Sequence, residues 1–284
     1  MFRNLSAFVA DRVAASDFLW TAVSRSVVRW SQYLCQERRS VEARRVVVSD
    51  PRLRQVFEDA MVIGGPFQGM LYGRTASFCS AYFPKILGTY EHELESIVTE
   101  CLKKQYAAVV DVGAAEGYYA VGFALKSQGS KVIAYEQSPR ARKQLGILAR
   151  TNCVQDRIEI RERCECPDLM NLPVGGGLLV MDCEGYEEVL LSTPVIRHLE
   201  RWDFLIETHD GFSRGVTKRL VERFVGTHDV RVVESVHDLD KADQYSPEVV
   251  RHLPRKEKDL LLCEQREHAT LRWLFCRSKR NSGV

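Results

Sequence analysis

The run Ala107-Ala108-Val109-Val110-Asp111-Val112-Gly113-Ala114-Ala115-Glu116-Gly117-Tyr118 constrains this 284-residue chain more than any other stretch. Its apolar part is short and ends in an acid, the pattern of a buried strand. Gly113 and Gly117 then supply a turn where backbone can pass close to a ligand, and a helix follows from about Tyr118 to Lys126. A second apolar segment, Lys131 to Tyr135, ends at Glu136. Strand, glycine turn, helix and strand make the first unit of a nucleotide-type α/β sheet, which collects ligands at the carboxyl ends of its strands. In such a unit the acid closing the second strand is placed to accept hydrogen bonds from a ribose diol.

The spacing excludes two common phosphate cradles. A dinucleotide turn needs G-x-G-x-x-G, but positions 113, 115 and 118 are Gly, Ala and Tyr. A P-loop needs a lysine after its last glycine, and Gly117 is followed by Tyr118. Asp111 would repel a pyrophosphate and suits a cationic, amine-bearing ligand. The form D-x-G-x-A-x-G is similar to motif I of the class I S-adenosylmethionine-dependent methyltransferases, with Ala115 where many members carry the middle glycine. By itself the turn could equally be an ordinary strand-to-helix connection; Glu136, at the right distance, counts against that.

Forty basic and 38 acidic residues leave a net charge of +2, so no global field draws the chain to nucleic acid. The 45% hydrophobic and 27% charged content is that of a globular domain rather than a disordered chain. Nine cysteines are scattered without a C-x-x-C pair, several inside apolar runs, so they read as reduced thiols of a cytoplasmic protein. No apolar run reaches the ~18 residues that span a bilayer, and Asp11, Arg12 and Asp17 interrupt any signal-peptide core.

Along the chain, apolar residues from Leu5 to Leu34 recur at three- and four-residue intervals, the signature of one or two amphipathic helices. Their basic side (Arg12, Arg25, Arg29) suits either peripheral membrane contact or packing on this chain or a second copy, which leaves a homo-oligomer open. A polar stretch from about Gln36 to Leu53 contains a strand candidate, Val46-Val47-Val48. Glycine and proline between Met61 and Tyr90 predict turns joining short strands, and Glu91 to Lys104 a helix. Further elements are a helix over 139–151, strands near 157–163, 177–181, 202–208 and 229–235, a helix over 216–225, a loop over 236–257, a helix over 257–267 and a closing strand at 270–276.

Two of these strands end in clustered acids. Met181-Asp182-Cys183-Glu184-Gly185-Tyr186-Glu187 and Ile206-Glu207-Thr208-His209-Asp210 both stand at carboxyl ends and should gather beside the first turn. A buried carboxylate without a partner costs several kcal/mol, so such acids need a cation, a metal or a hydroxyl. Helix capping and turn formation are the plainer roles for Asp210 and Glu187.

Taken together, Val110 to Gly117, Tyr135-Glu136, the D-x-E-G-x-E element at 182–187 and Glu207-Thr208-His209 resemble the FkbM-type methyltransferases over roughly residues 85–276. The resemblance implies a Rossmann-like fold: a seven-stranded, mostly parallel sheet with helices on both faces, here behind an N-terminal helical extension. It divides the chain into an extension (1–60), an irregular lid or acceptor-lining segment (61–90), a catalytic domain (91–276) and a frayed tail (277–284). It implies S-adenosyl-L-methionine as cofactor, held by Asp111, Gly113, Ala115, Glu116, Gly117, Glu136, Cys164 and Asp182. The acceptor would be a hydroxyl on a sugar, glycan or small natural product. His209 is the first choice of base, since its ordinary pKa lies near neutrality, with Glu184 or Asp182 as orienter or alternative base. The family does not generally need a metal, although Asp182, Glu207 and His209 are suitable ligand types. A binding or scaffold protein that has kept the pocket and lost the chemistry is the competing reading.

Overall fold

A computed structural model of the chain describes residues 16–73, 81–104, 106–211, 213–264 and 271–281. It forms two compact units, Met1–Asp50 and Pro51–Val284. In the first, the described residues make one helix, Asp17–Ser49. The expected strand at Val46–Val48 is therefore helix. Ala43, Val46 and Val47 are buried while Arg44, Arg45 and Val48 are exposed, a three- and four-residue alternation that only a helix produces. Arg38 and Glu42 pair one turn apart at 2.6 Å. The amphipathic stretch expected before Ser16 lies outside the described residues.

The second unit begins with helix Pro51–Asp59, so residues 51–60 fall on its side of the division. Its sheet has seven strands: β1 (Ala108–Val112), β2 (Lys131–Tyr135), β3 (Ile158–Arg161), β4 (Leu178–Met181), β5 (Asp203–Thr208), β6 (His228–Glu234) and β7 (Arg272–Ser278). Their order is β3-β2-β1-β4-β5-β7-β6. Strands β1 to β5 run parallel, and β7 inserts antiparallel between β5 and β6. The chain leaves β1 toward β2 on one side and returns to β4 on the other. That reversal opens a crevice beyond Val112 and its neighbour Met181, the place where open α/β sheets bind ligands.

Alternation along the strands feeds two cores. Val109, Val132, Leu178, Val180 and Leu205 pack with helices Glu95–Lys104, Tyr118–Lys126 and Pro139–Thr151 on one face. Val110, Leu179, Met181, Phe204 and Ile206 pack with helices Thr193–His198 and Val216–Phe224 on the other. The architecture is the Rossmann-like, mostly parallel sheet with helices on both faces.

Three local expectations are corrected. Among the described residues, the short strands foreseen between Met61 and Tyr90 reduce to one bridge, Met61 to Leu71, and helix Tyr82–Leu87. Val62, Phe67, Met70 and Tyr72 are fully buried and belong to the core. The loop foreseen at 236–257 contains helix Lys241–Gln244, and the next helix, Arg255–Leu262, starts directly after Pro254. What folds it is a buried charge: the fully buried Lys241 pairs with Glu264 at 2.5 Å and Asp238 at 3.4 Å. The tail foreseen as frayed is strand through Ser278, whose backbone N–H donates to Asp203 at 2.8 Å. Among the described cysteines none forms a disulfide; Cys101, Cys164 and Cys276 are buried, as expected of core thiols, while Cys35 and Cys153 are exposed. No described helix is long and apolar enough to cross a membrane.

Candidate active site

A cavity of about 390 Å³ opens at the crevice, a size typical of small-molecule sites. Asp111, Gly113, Ala114, Ala115, Glu136, Cys164, Asp182 and Glu184 line it, whereas Glu207, His209 and Asp210, also expected beside the first turn, do not.

The wall after β1 is built from backbone. Gly113 and Ala114 donate to the Tyr135 carbonyl at 2.9 and 3.0 Å, which ties the turn to the end of β2. Gly113 has φ 86°, and a Cβ there would stand 1.7 Å from the Asp182 carbonyl oxygen. Only glycine lets the turn and the exit of β4 pass so closely. Ala115 holds φ 47° despite its side chain, a strained conformation of the kind that binding sites retain. Its N–H donates to Glu136 at 2.9 Å, and the other Glu136 oxygen accepts from Ser138 N at 2.6 Å. Each oxygen keeps a lone pair for a diol, so Glu136 both clamps the turn and faces the cavity.

Two residues expected at this wall serve elsewhere. Glu116, between the left-handed Ala115 and Gly117, is fully buried and accepts from Tyr72 and Lys85. An ion inside the protein needs such partners, which is why this carboxylate turns inward. Gly117 is a packing residue: a Cβ would lie 2.8 Å from Leu145.

Asp111 is buried, and its Oδ2 accepts no hydrogen bond. Burial, with repulsion from Asp182 and Glu136, pushes its carboxyl up to about 7, against the lowering effect of the Ala120 N–H. A cationic ligand would relieve that frustration. Cys164 sits at the far end beside Arg163 and Tyr186, the guanidinium 4.6 Å from the ring. Burial raises the Cys164 thiol to about 12, so it is a neutral surface there.

The opposite wall is built from side chains. After β4, left-handed Glu184 and Gly185 (φ 57° and 97°) form the turn that leaves Asp182 and Glu184 on the cavity wall. His209 stands behind them, 6% exposed and absent from the cavity lining. Its Nδ1 lies 2.7 Å from the fully buried Glu187. Its Nε2 is 3.5 Å from Asp182, 3.6 Å from Glu184 and 3.7 Å from Glu207. Burial draws the imidazole pKa down, but the Glu187 bond and the carboxylate charges outweigh it and the net shift is upward. Burial also raises the Glu184 carboxyl, helped by repulsion from Asp182. Asp182 and Glu184 thus line the cavity, His209 stands behind them, and the acid hydrogen-bonded to its imidazole is Glu187 rather than either of them. Turn formation is the plainer sequence role of Glu187, and nothing in its local pattern marks it as the partner of the imidazole. Asp210 does what an acid before a helix commonly does, accepting from Thr217 N at 3.2 Å. Donor atoms of Asp182, Glu207 and His209 lie within 4.8 Å of one another, a set that could hold a metal.

Residues not singled out as site residues complete the cavity. Lys85, 2% exposed and paired with Glu116, lies 4.7 Å from the Tyr90 ring centre and 5.2 Å from that of Tyr118. Glu91 adopts φ 50°, takes a hydrogen bond from Tyr119, and is anchored through its N–H to Glu264 at 3.0 Å. A lysine inside the apolar run Ala81–Leu87 was the sequence signal for this buried ion pair.

No family profile matches the chain, and no curated protein matches it. Similar solved structures include the cofactor-bound Rv0187 from MTB, with 13% identity over 81% of this chain and 98% of that one, TM-score 0.46. An O-methyltransferase from Bacillus cereus in complex with SAH has 11% identity over 63% and 77%, TM-score 0.43. The O-methyltransferase TomG from Streptomyces achromogenes, in complex with SAM, has 9% identity over 68% and 81%, TM-score 0.45.

Proposed function

We propose that this chain is an S-adenosylmethionine-dependent O-methyltransferase of the FkbM type, acting on a hydroxyl of a sugar, glycan or small natural product. The observation that carries the reading is the meeting, in one cavity, of a backbone-built turn with a ribose-directed acid and a wall of carboxylates. The residues fit the cofactor. Glu136 offers lone pairs to a diol, the unsatisfied Asp111 suits an amine-bearing cation, and Cys164 with Tyr186 forms a flat apolar end for a base. Bound there, the cofactor supplies a methyl group already activated on a sulfonium.

The protein's own work is to place and deprotonate the acceptor. Proximity and alignment supply much of the rate in such a transfer. A hydroxyl resting against Asp182 and Glu184 gives its proton to Glu184, whose carboxyl burial holds above the usual carboxylate range. His209, held by Glu187, sets the positions of both carboxylates from behind and is a positioning residue. Lys85, Tyr90 and Glu91 line the same cavity and would border the acceptor.

Calorimetric titration with S-adenosylmethionine and S-adenosylhomocysteine, with NAD as control, tests the reading. Micromolar binding of both adenosyl ligands and none of NAD supports it, and methylation of a hydroxylated acceptor completes it. Absence of adenosyl binding removes the enzyme reading and leaves the scaffold.

A further inference from the structure

We propose that helix Asp17–Ser49 pairs antiparallel with the same helix of a second copy of this chain, through a seam of Val27, Trp30, Leu34, Val41 and Val48. The pairing stands independently of the methyl-transfer reading above.

These apolar side chains are exposed, Trp30 by 64%. Val27, Leu34, Val41 and Val48 stand seven residues apart, and Trp30 falls between the first two, the a and d spacing of a helix seam. At 3.6 residues per turn they all lie within about 60° of one another around the axis. Trp20 and Val23 continue the same spacing in the sequence. The buried Ala43, Val46 and Val47 fall on roughly the opposite side, so the stripe is not the face this helix already buries. From Val27 to Val48 it runs about 32 Å at 1.5 Å per residue. A continuous apolar stripe of that length left open to water marks an interaction surface.

Charge decides what covers it. The d positions between Trp30 and Val48 are Glu37 and Arg44, and Arg38 and Arg45 border the stripe; these four are exposed. A bilayer is a poor match: the stripe is narrower than the apolar face of an interfacial helix, and Glu37 would be pressed toward acyl chains. A parallel pair in register would set Glu37 against Glu37 and Arg44 against Arg44, two repulsions in the seam. Reversing one helix removes both. With the two-fold axis between Glu37 and Arg38, Val27 meets Val48, Leu34 meets Val41, Trp30 meets Arg45 and Glu37 meets Arg38, each contact occurring twice. The stripe is thus complementary to itself, as a two-fold interface requires, and Trp30 gains a guanidinium beside its ring. Arg38 also meets Glu42 of its own helix at 2.6 Å, an exposed pair weak enough to share the guanidinium.

Sedimentation velocity of the full-length chain across micromolar concentrations tests the seam, and a reversible dimer is the expected result. Leu34→Asp places a charge in the seam and should raise the dissociation constant at least ~100-fold. Because Leu34 is exposed in the single chain, circular dichroism of the variant should match wild type. Glu37→Arg and Arg38→Glu should each weaken pairing ~3–10-fold, and the double variant should restore it. In a parallel pair Glu37→Arg only replaces one like-charge contact by another, so failure of the double variant to restore pairing overturns the antiparallel assignment. Wild type that stays monomeric, or a dimer unmoved by Leu34→Asp, overturns the seam altogether. So does a monomer that co-sediments with vesicles of phosphatidylserine and phosphatidylcholine, which would give the stripe to a membrane.

Discussion

The turns leaving β1 and β4 lie side by side, joined where Asp182 N donates to the Val112 carbonyl at 2.9 Å. Both use left-handed residues, Gly113, Ala115 and Gly117 in one and Glu184 and Gly185 in the other. The first presents backbone and keeps its one internal acid, Glu116, turned away on Lys85. The second presents carboxylates and gathers Asp182, Glu184, Glu187 and Glu207 around His209. A turn made of backbone is fixed by sterics and tolerates little change of side chain. A turn that displays charge is set by partners and responds to protonation, ions and ligands.

The largest expected break is Gly113→Ala. Its Cβ would meet the Asp182 carbonyl at 1.7 Å in a left-handed conformation, which should cost at least about 3 kcal/mol in urea unfolding and pull the two turns apart. Gly129→Ala, with nothing within 4 Å, is the matching control and should shift stability by under about 1 kcal/mol.

On the charged turn, Glu184→Gln should lower the methyl-transfer rate ~10²–10⁴-fold while adenosyl binding stays within about threefold. Single-turnover kinetics separate the two. Equal losses in binding and rate would mean that the turns act as one unit.

Asp111 lies between the two regimes. Its folded-state pKa of about 7 is above the unfolded value, so the folded chain holds the extra proton between roughly pH 4 and 7. This group therefore favours folding at low pH, and that advantage is lost as pH rises through 7. Asp111→Asn should raise stability at pH 8 by on the order of 1–4 kcal/mol, with the gain shrinking toward pH 4. The ligand reverses the preference: wild-type affinity for a cationic cofactor should fall as pH drops below 7. Denaturation and calorimetry across that range check both signs.

Smallest is Glu136→Ala, which should weaken adenosyl binding ~10–100-fold, one charge-assisted hydrogen bond or two. Because Glu136 also clamps Ala115 and Ser138, a modest loss of stability should accompany it. Glu136→Gln, which retains acceptor capacity, should recover part of the affinity.

What the sequence by itself determined is the frame: the strands at 108–112, 131–135, 178–181 and 203–208, the helices at 118–126 and 139–151, and a crevice at the strands' carboxyl ends. Those features are local, because apolar period, glycine position and a terminal acid act within a few residues. Tertiary structure alone decided the rest. Val46–Val48 carry strand propensity, yet their burial follows a helical period. Lys241 and Glu264 fold a segment that reads as loop, through a pairing across 23 positions. Glu116 and Glu187 resemble their neighbouring acids in every local respect. Lys85 calls one into the interior and His209 fixes the other beneath the site. A carboxylate's role depends on which cation the fold brings within about 4 Å, and no local pattern encodes that distance.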